Sequence, residues 1–162
     1  MQPRDLIRTA QALLTFNDGD PSQADLRRAI STAYYALFHY MCRECADRLV
    51  GCTAAHQCKP AWRQTYRALA HSQSKARCEK IKGDEALKFP TAIRDFATLY
   101  ILLQELRHRA DYDMRDTYSA FNVQSYVDDA LAMIEATERV ATKHRKAFAV
   151  FLLMPLRDKS GH

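Results

Sequence analysis

The sequence predicts an all-α fold, an up-and-down bundle of four to five helices forming one domain over residues 1–162. Three observations carry this reading. Only 4 glycines and 5 prolines occur in 162 residues, too little turn chemistry for a hairpin-rich sheet. Apolar side chains recur three and four positions apart over long stretches, the period of a helix with one buried face. Apolar residues make up 48% of the chain and charged residues 27%, so a core can form and the disordered regime of low hydrophobicity is excluded.

The elements follow in order. Pro3 stands where a first helical turn tolerates proline, and Leu6, Ala10, Leu13 and Leu14 form a stripe. This predicts a helix over residues 2–16 that stops at Asn17-Asp18-Gly19-Asp20-Pro21. Ser22 is an N-cap, and from there to Val50 neither glycine nor proline occurs while Leu26, Ile30, Ala33, Leu37, Met41 and Leu49 recur at helical spacing. A long second helix results, ended by Gly51. Pro60 opens a third over residues 60–70, with Ala61, Trp62, Tyr66, Leu69 and Ala70 as its stripe, resuming through residues 76–81. Gly83 and Pro90 bracket a loop. Thr91 then caps a fourth helix whose stripe reads Ile93, Phe96, Ala97, Tyr100, Leu103 and Leu106, ending in the acidic, aromatic segment 110–118. A fifth runs from about residue 122 to 153 with Val123, Tyr126, Val127, Leu131, Ile134, Val140 and Phe148 inward, before a short disordered tail from about residue 155. Helices of ~35 to 50 Å at 1.5 Å per residue leave lateral surface for a second protomer, so a homodimer is expected.

The longest uninterrupted apolar run, residues 147–155, is far short of the ~20 residues of a membrane span. The opening residues alternate charge with hydrophobes, unlike a secretory signal. A cytoplasmic protein with no membrane contact is expected. The five cysteines, Cys42, Cys45, Cys52, Cys58 and Cys78, are odd in number and follow no export signal, which favours reduced thiols over disulfides. Cys42, Cys45, Cys52, His56 and Cys58 have the ligand types and spacing of a zinc site, while Cys42 and Cys45 equally suit the core stripe of the second helix as small hydrophobes. No cofactor is expected, because the chain has no glycine-rich phosphate cradle and no nucleophile, base and acid signature.

Charge is unevenly placed. Lys59, Arg63, Arg67, Lys75, Arg77, Lys80 and Lys82 oppose only Glu79 in residues 59–82, a net +6, while the rest of the chain sums to −1. Cations interleaved with Trp62 and Tyr66 form a nucleic-acid footprint, since ammonium and guanidinium groups displace counterions from phosphates and aromatic faces stack on bases. A solvated face, or a face matched to an acidic partner, has the same pattern.

Two further segments stand out, Arg28-Ala-Ile-Ser-Thr-Ala-Tyr-Tyr-Ala-Leu-Phe-His39 and Arg107-His-Arg-Ala-Asp-Tyr-Asp113. Basic residues at a helix C-terminus suit its dipole, and Asp111 or Asp113 can pair with an arginine of a neighbouring helix, so a purely structural network is one reading of the second. Together the two segments resemble the HEPN superfamily, and more narrowly its bacterial branch of small stand-alone proteins carrying AYYAxFH on one long helix and Arg-x-x-Ala-Asp-Tyr on a later one. The likeness spans residues 5–153. It implies an all-α homodimer whose motif helices line a basic cleft. Many relatives are metal-independent ribonucleases of toxin-antitoxin, phage-defence or RNA-processing systems, and others partner a small nucleotidyltransferase.

Active members carry an arginine, four to six residues, then a histidine. Here Arg107 matches the arginine, and the residue five further on is Tyr112. Metal-free RNA cleavage needs a group titrating near neutrality, and tyrosine as a residue type titrates far above it. His108, one residue from Arg107, turns ~100° around the helix. The resemblance therefore implies a dimer cleft that binds RNA or a nucleotide-bearing partner, built around Arg107, His108, Arg109, Asp111 and Tyr112. In that cleft Arg107 contacts phosphate, Asp111 orients an arginine, Tyr34, Tyr35 and His39 line the pocket, and Lys59, Arg63, Arg67, Lys75 and Arg77 extend the basic surface. His108 is the candidate for proton transfer in a weak or degenerate ribonuclease. The alternative is a non-catalytic interaction module that partners a nucleotidyltransferase.

Overall fold

A computed structural model describes residues 1–155, and among them every regular element is helical. The expected tail from about residue 155 lies outside the described residues. The first helix, α1 (Pro3–Leu14), buries Ile7, Ala10 and Leu14 and has Pro3 in its first turn. A left-handed turn at Phe16–Gly19 follows, in which Asn17 and Asp18 take φ of 53° and 56°, a conformation their short polar side chains tolerate. The central helix is α2 (Gln23–Leu49), about 40 Å long. Ser22 and Asp25 close a capping box at its start, each side chain bonding the other residue's backbone N–H. Gly51 follows its end at φ +127°, where a Cβ would stand 3.0 Å from the His56 carbonyl oxygen.

Helix α2 is buried around most of its circumference between Ala29 and Ala46, apart from Tyr35, His39 and Arg43. It packs against α1 and against α3 (Lys59–Tyr66), α5 (Thr91–Tyr112), α6 (Ala120–Glu138) and α7 (Thr142–Leu153). Helix α4 (His71–Gly83) packs on α5 and touches α7. The shared core contains Tyr34, Leu37, Met41, Phe96, Leu103, Ile134 and Phe148.

Three expectations are corrected. The third helix ends at Tyr66, not near residue 70, because the chain turns at Arg67 to Ala70 so that Leu69 drops into the core, and the expected resumption is the separate helix α4, which begins at His71, not near residue 76. Ser74, Cys78 and Ile81 then form the buried stripe of α4. The fifth helix, expected to be continuous, is two. No glycine or proline breaks it; Ala141 becomes extended, and the redirected α7 lets Arg145 reach buried Glu44 and Phe148 reach Phe96. The Arg145 Nη1 donates to the Glu138 carbonyl left open at the end of α6. Finally, Thr91 lies inside the first turn of α5, whose capping position is Pro90.

Among the described residues, no helix is long and apolar enough to cross a membrane.

Candidate nucleic-acid interface

Helical spacing of three and four places Ser31, Tyr34, Tyr35 and Phe38 of α2 on a face toward α5, where Tyr100, Arg107 and Asp111 meet them. The Arg107 guanidinium is the centre of this meeting. Its Nη2 donates to the Tyr35 hydroxyl at 3.1 Å, and its Nε stands 2.8 Å from the Asp111 Oδ2 one turn on. That second contact is an ion pair without hydrogen-bond alignment. Cζ lies 5.5 Å from the Tyr35 ring centroid and 5.7 Å from that of Tyr34, within cation–π range. The Ser31 hydroxyl donates to the other Asp111 oxygen at 2.8 Å. Asp111 thus orients Arg107 while tying α5 to α2. The Arg107 side chain remains 26% exposed, and its Nη1 makes no hydrogen bond among the described residues.

Beside it opens a groove of about 520 Å³, lined by Lys75, Gln104, Glu105, Arg107, His108 and Arg109. The electrostatics are one-sided, three cations against a single carboxylate. A cavity of about 310 Å³ on another side of the bundle carries its counter-charges in its own wall, Arg4, Arg43 and Arg145 pairing there with Glu138, Asp47 and Glu44, whereas Glu79, Asp111 and Asp116, the partners of Lys75, Arg107 and Arg109, lie outside the groove lining.

The predicted residues divide between these surroundings. Arg107, His108, Arg109 and Lys75 share the groove. Tyr112 does not; it is 69% exposed and its ring packs on His108 at 5.0 Å. Tyr35 meets Arg107, whereas Tyr34 is fully buried, its hydroxyl 2.6 Å from His71 Nδ1 and 3.0 Å from that of Tyr100. His39 turns to the α2–α3 junction, where its Nδ1 is 2.7 Å from the Tyr66 hydroxyl. Burial lowers its pKa, helped by the chain's amino terminus. Tyr66 stacks on Trp62 at 5.2 Å, and Trp62 donates to Asp47, so both aromatics serve packing. Lys59, Arg63 and Arg67 are exposed along and just after α3, outside the groove lining. Arg77 is engaged by α7, donating to the Met154 carbonyl and lying 5.7 Å from the Phe151 ring.

Compared with known proteins, the chain matches no family model, no curated protein and no solved structure.

Sequence reasoning missed His71, Ser74 and Ser31. His71 stands between residues 70 and 76, where the apolar stripe pauses and assigns no helix. The available signal was Tyr34, since a phenol on the core stripe of α2 must find a hydrogen-bond partner when buried.

The cysteines do not form a ligand set. Cys42 and Cys45 are buried while Cys52 and Cys58 are exposed, and His56 Nδ1 lies 3.0 Å from the Thr53 hydroxyl. Among the described residues, no three His, Cys, Asp or Glu side chains converge to hold a metal. Burial pushes the Cys42 thiol up to about 12 and raises those of Cys45 and Cys78 as well. In a native-state assay with a thiol-reactive dye, Cys52 and Cys58 therefore react rapidly, and Cys42, Cys45 and Cys78 only after denaturant is added. Equal rates for all five would contradict the burial pattern.

Proposed function

We propose that this chain is a HEPN-type RNA-binding protein that seats a backbone phosphate on Arg107. The supporting observation is that Arg107 is held on two sides, by Tyr35 and by Asp111, with Nη1 left open in a groove that also presents Lys75, Arg109 and His108. A guanidinium fixed before binding loses little side-chain entropy when phosphate arrives. Neighbouring cations add counterion release along the strand. The reading is one of binding rather than vigorous cleavage, because Tyr112 occupies the position of the motif histidine and turns away from Arg107. It includes a second copy of the chain against the shallow, exposed surface around Tyr112 and Met114, contiguous with the groove through His108 and Arg109.

Fluorescence anisotropy with a labelled single-stranded RNA tests this. Arg107→Ala weakens binding about 10-fold or more, the worth of a charge-assisted hydrogen bond. The double variant Lys75→Ala/Arg109→Ala lowers the slope of log affinity against log salt by about 0.7 for each lost phosphate contact. Unchanged affinity and slope in both, with Arg107→Ala melting at lower temperature, would favour the non-catalytic scaffold for a nucleotidyltransferase instead.

A further inference from the structure

Helices α6 and α7 divide charge by sign. Helix α6 carries Asp128, Asp129, Glu135 and Glu138 with no Lys, Arg or His, and α7 carries Lys143, Arg145 and Lys146 with no Asp or Glu. Contacts within the fold engage part of both sets, since Arg4 pairs with Glu135 and Glu138, and Arg145 with Glu44. Asp129, Lys143 and Lys146 are exposed and form no ion pair among the described residues. The same holds for Asp95 on α5, the helix packed beside α6. Each of these four groups stands at an apolar groove.

The first groove, of about 250 Å³, runs between α5 and α6. Leu99, Leu102 and Met133 supply its apolar surface, Asp95 and Asp129 its charge, and no cation lines it. The second, of about 580 Å³, lies between α7 and the turn ahead of α5, where Phe89, Val150, Phe151 and Met154 meet Lys143 and Lys146 with no carboxylate in the lining. Lys143, Lys146 and Val150 stand three and four residues apart on α7 and so form one exposed ridge. Val150 and Met154 are 40% and 48% exposed there, and Leu102 in the first groove is 41% exposed. Apolar surface left to water and rimmed by charges without partners marks an interaction site. The two grooves are alike in apolar content and opposite in sign, so they complement each other. Residues 156–162 of the same chain do not suit the lysine rim, because Arg157 and Lys159 outweigh Asp158.

We propose that the Lys143 and Lys146 ridge of one copy docks in the Asp95 and Asp129 groove of the next, a head-to-tail contact between two different faces of the same chain. The grooves share no lining residue. Docking therefore leaves one unused face at each end, and association continues past two copies until a ring closes or a filament grows. This contact is separate from the surface around Tyr112 and Met114, and it does not rest on the nucleic-acid reading.

Sedimentation velocity of the full chain over a concentration series tests it. The average mass of the unaltered protein rises past that of two copies as concentration increases. Lys143→Glu/Lys146→Glu makes both grooves acidic, and Asp95→Lys/Asp129→Lys makes both basic, so either double variant alone associates about 10-fold or more weakly through like-charge contact. Mixed in equal amounts, the two variants regain the association, because each supplies the face the other lacks; a damaged fold would not recover on mixing. A second measurement needs no substitution. Carbodiimide coupling in a mixture of unlabelled and nitrogen-15-labelled copies joins Lys143 or Lys146 of one copy to Asp95 or Asp129 of another. A mass that never exceeds two copies overturns the proposal and leaves the ridge to an acidic segment of a different protein. Association untouched by either reversal, folded variants that stay apart on mixing, or cross-links between copies that omit these four residues overturn it as well.

Discussion

Replacing Glu44 with alanine destabilises the fold by about 3 to 5 kcal/mol, the cost of stripping one partner from a buried ion pair. Glu44 is 3% exposed on the central helix. Its two carboxylate oxygens accept from Arg145 Nε at 2.8 Å and Nη2 at 2.7 Å, and Arg48 Nε stands 3.4 Å away. Alanine at this position leaves the half-buried guanidiniums of Arg145 and Arg48 without the carboxylate that balances them. Urea unfolding followed by circular dichroism reads the loss as a lower midpoint at unchanged slope. A double variant, Glu44→Met/Arg145→Met, recovers much of it, because an apolar pair of similar volume needs no counter-charge. A loss below about 1 kcal/mol in the single variant would mean that water already reaches the pair.

Phe148→Ala has an effect of the same size, about 3 to 5 kcal/mol, from lost burial and the cavity that remains. The Phe148 ring is wholly buried, edge-on to Phe96 at 6.1 Å and to Phe89 at 6.3 Å. The consequence extends to the groove. Helix α4, which carries His71 and Lys75, is tied to the end of α7 by Gln73 donating to the Leu152 carbonyl and by Arg77 donating to that of Met154. Loosening α7 therefore loosens the helix that presents Lys75 to the groove. Hydrogen exchange of the α4 amides in Phe148→Ala, faster than in the parent at denaturant concentrations where both remain folded, would register that coupling.

Much of this was legible beforehand, for identifiable reasons. The Ser22 cap, the glycine at position 51 and an uninterrupted stripe determined the central helix almost to the residue, because caps and periodicity are local signals that neighbours seldom override. The meeting of Tyr35, Arg107 and Asp111 was foreshadowed by two motifs on separate helices. The break near residue 70 was legible as a pause in the apolar stripe but not the restart at His71, and the break at Arg139 to Ala141 was not legible at all, since it has no glycine or proline. What bends the chain there is a distant partner, Leu69 falling into the core in one case and Arg145 finding Glu44 in the other.

By itself, the order of residues determined an all-helical bundle, the identity of its long core helix and the concentration of positive charge in residues 59–82. Those properties depend on spacing along one strand of chain. Tertiary packing alone decided which cations share a groove, turning Arg77 to α7 and Tyr112 outward while bringing Lys75 to Arg107. It also decided which hydroxyls surround His71, because those groups are contributed by three helices at distances that no local pattern encodes.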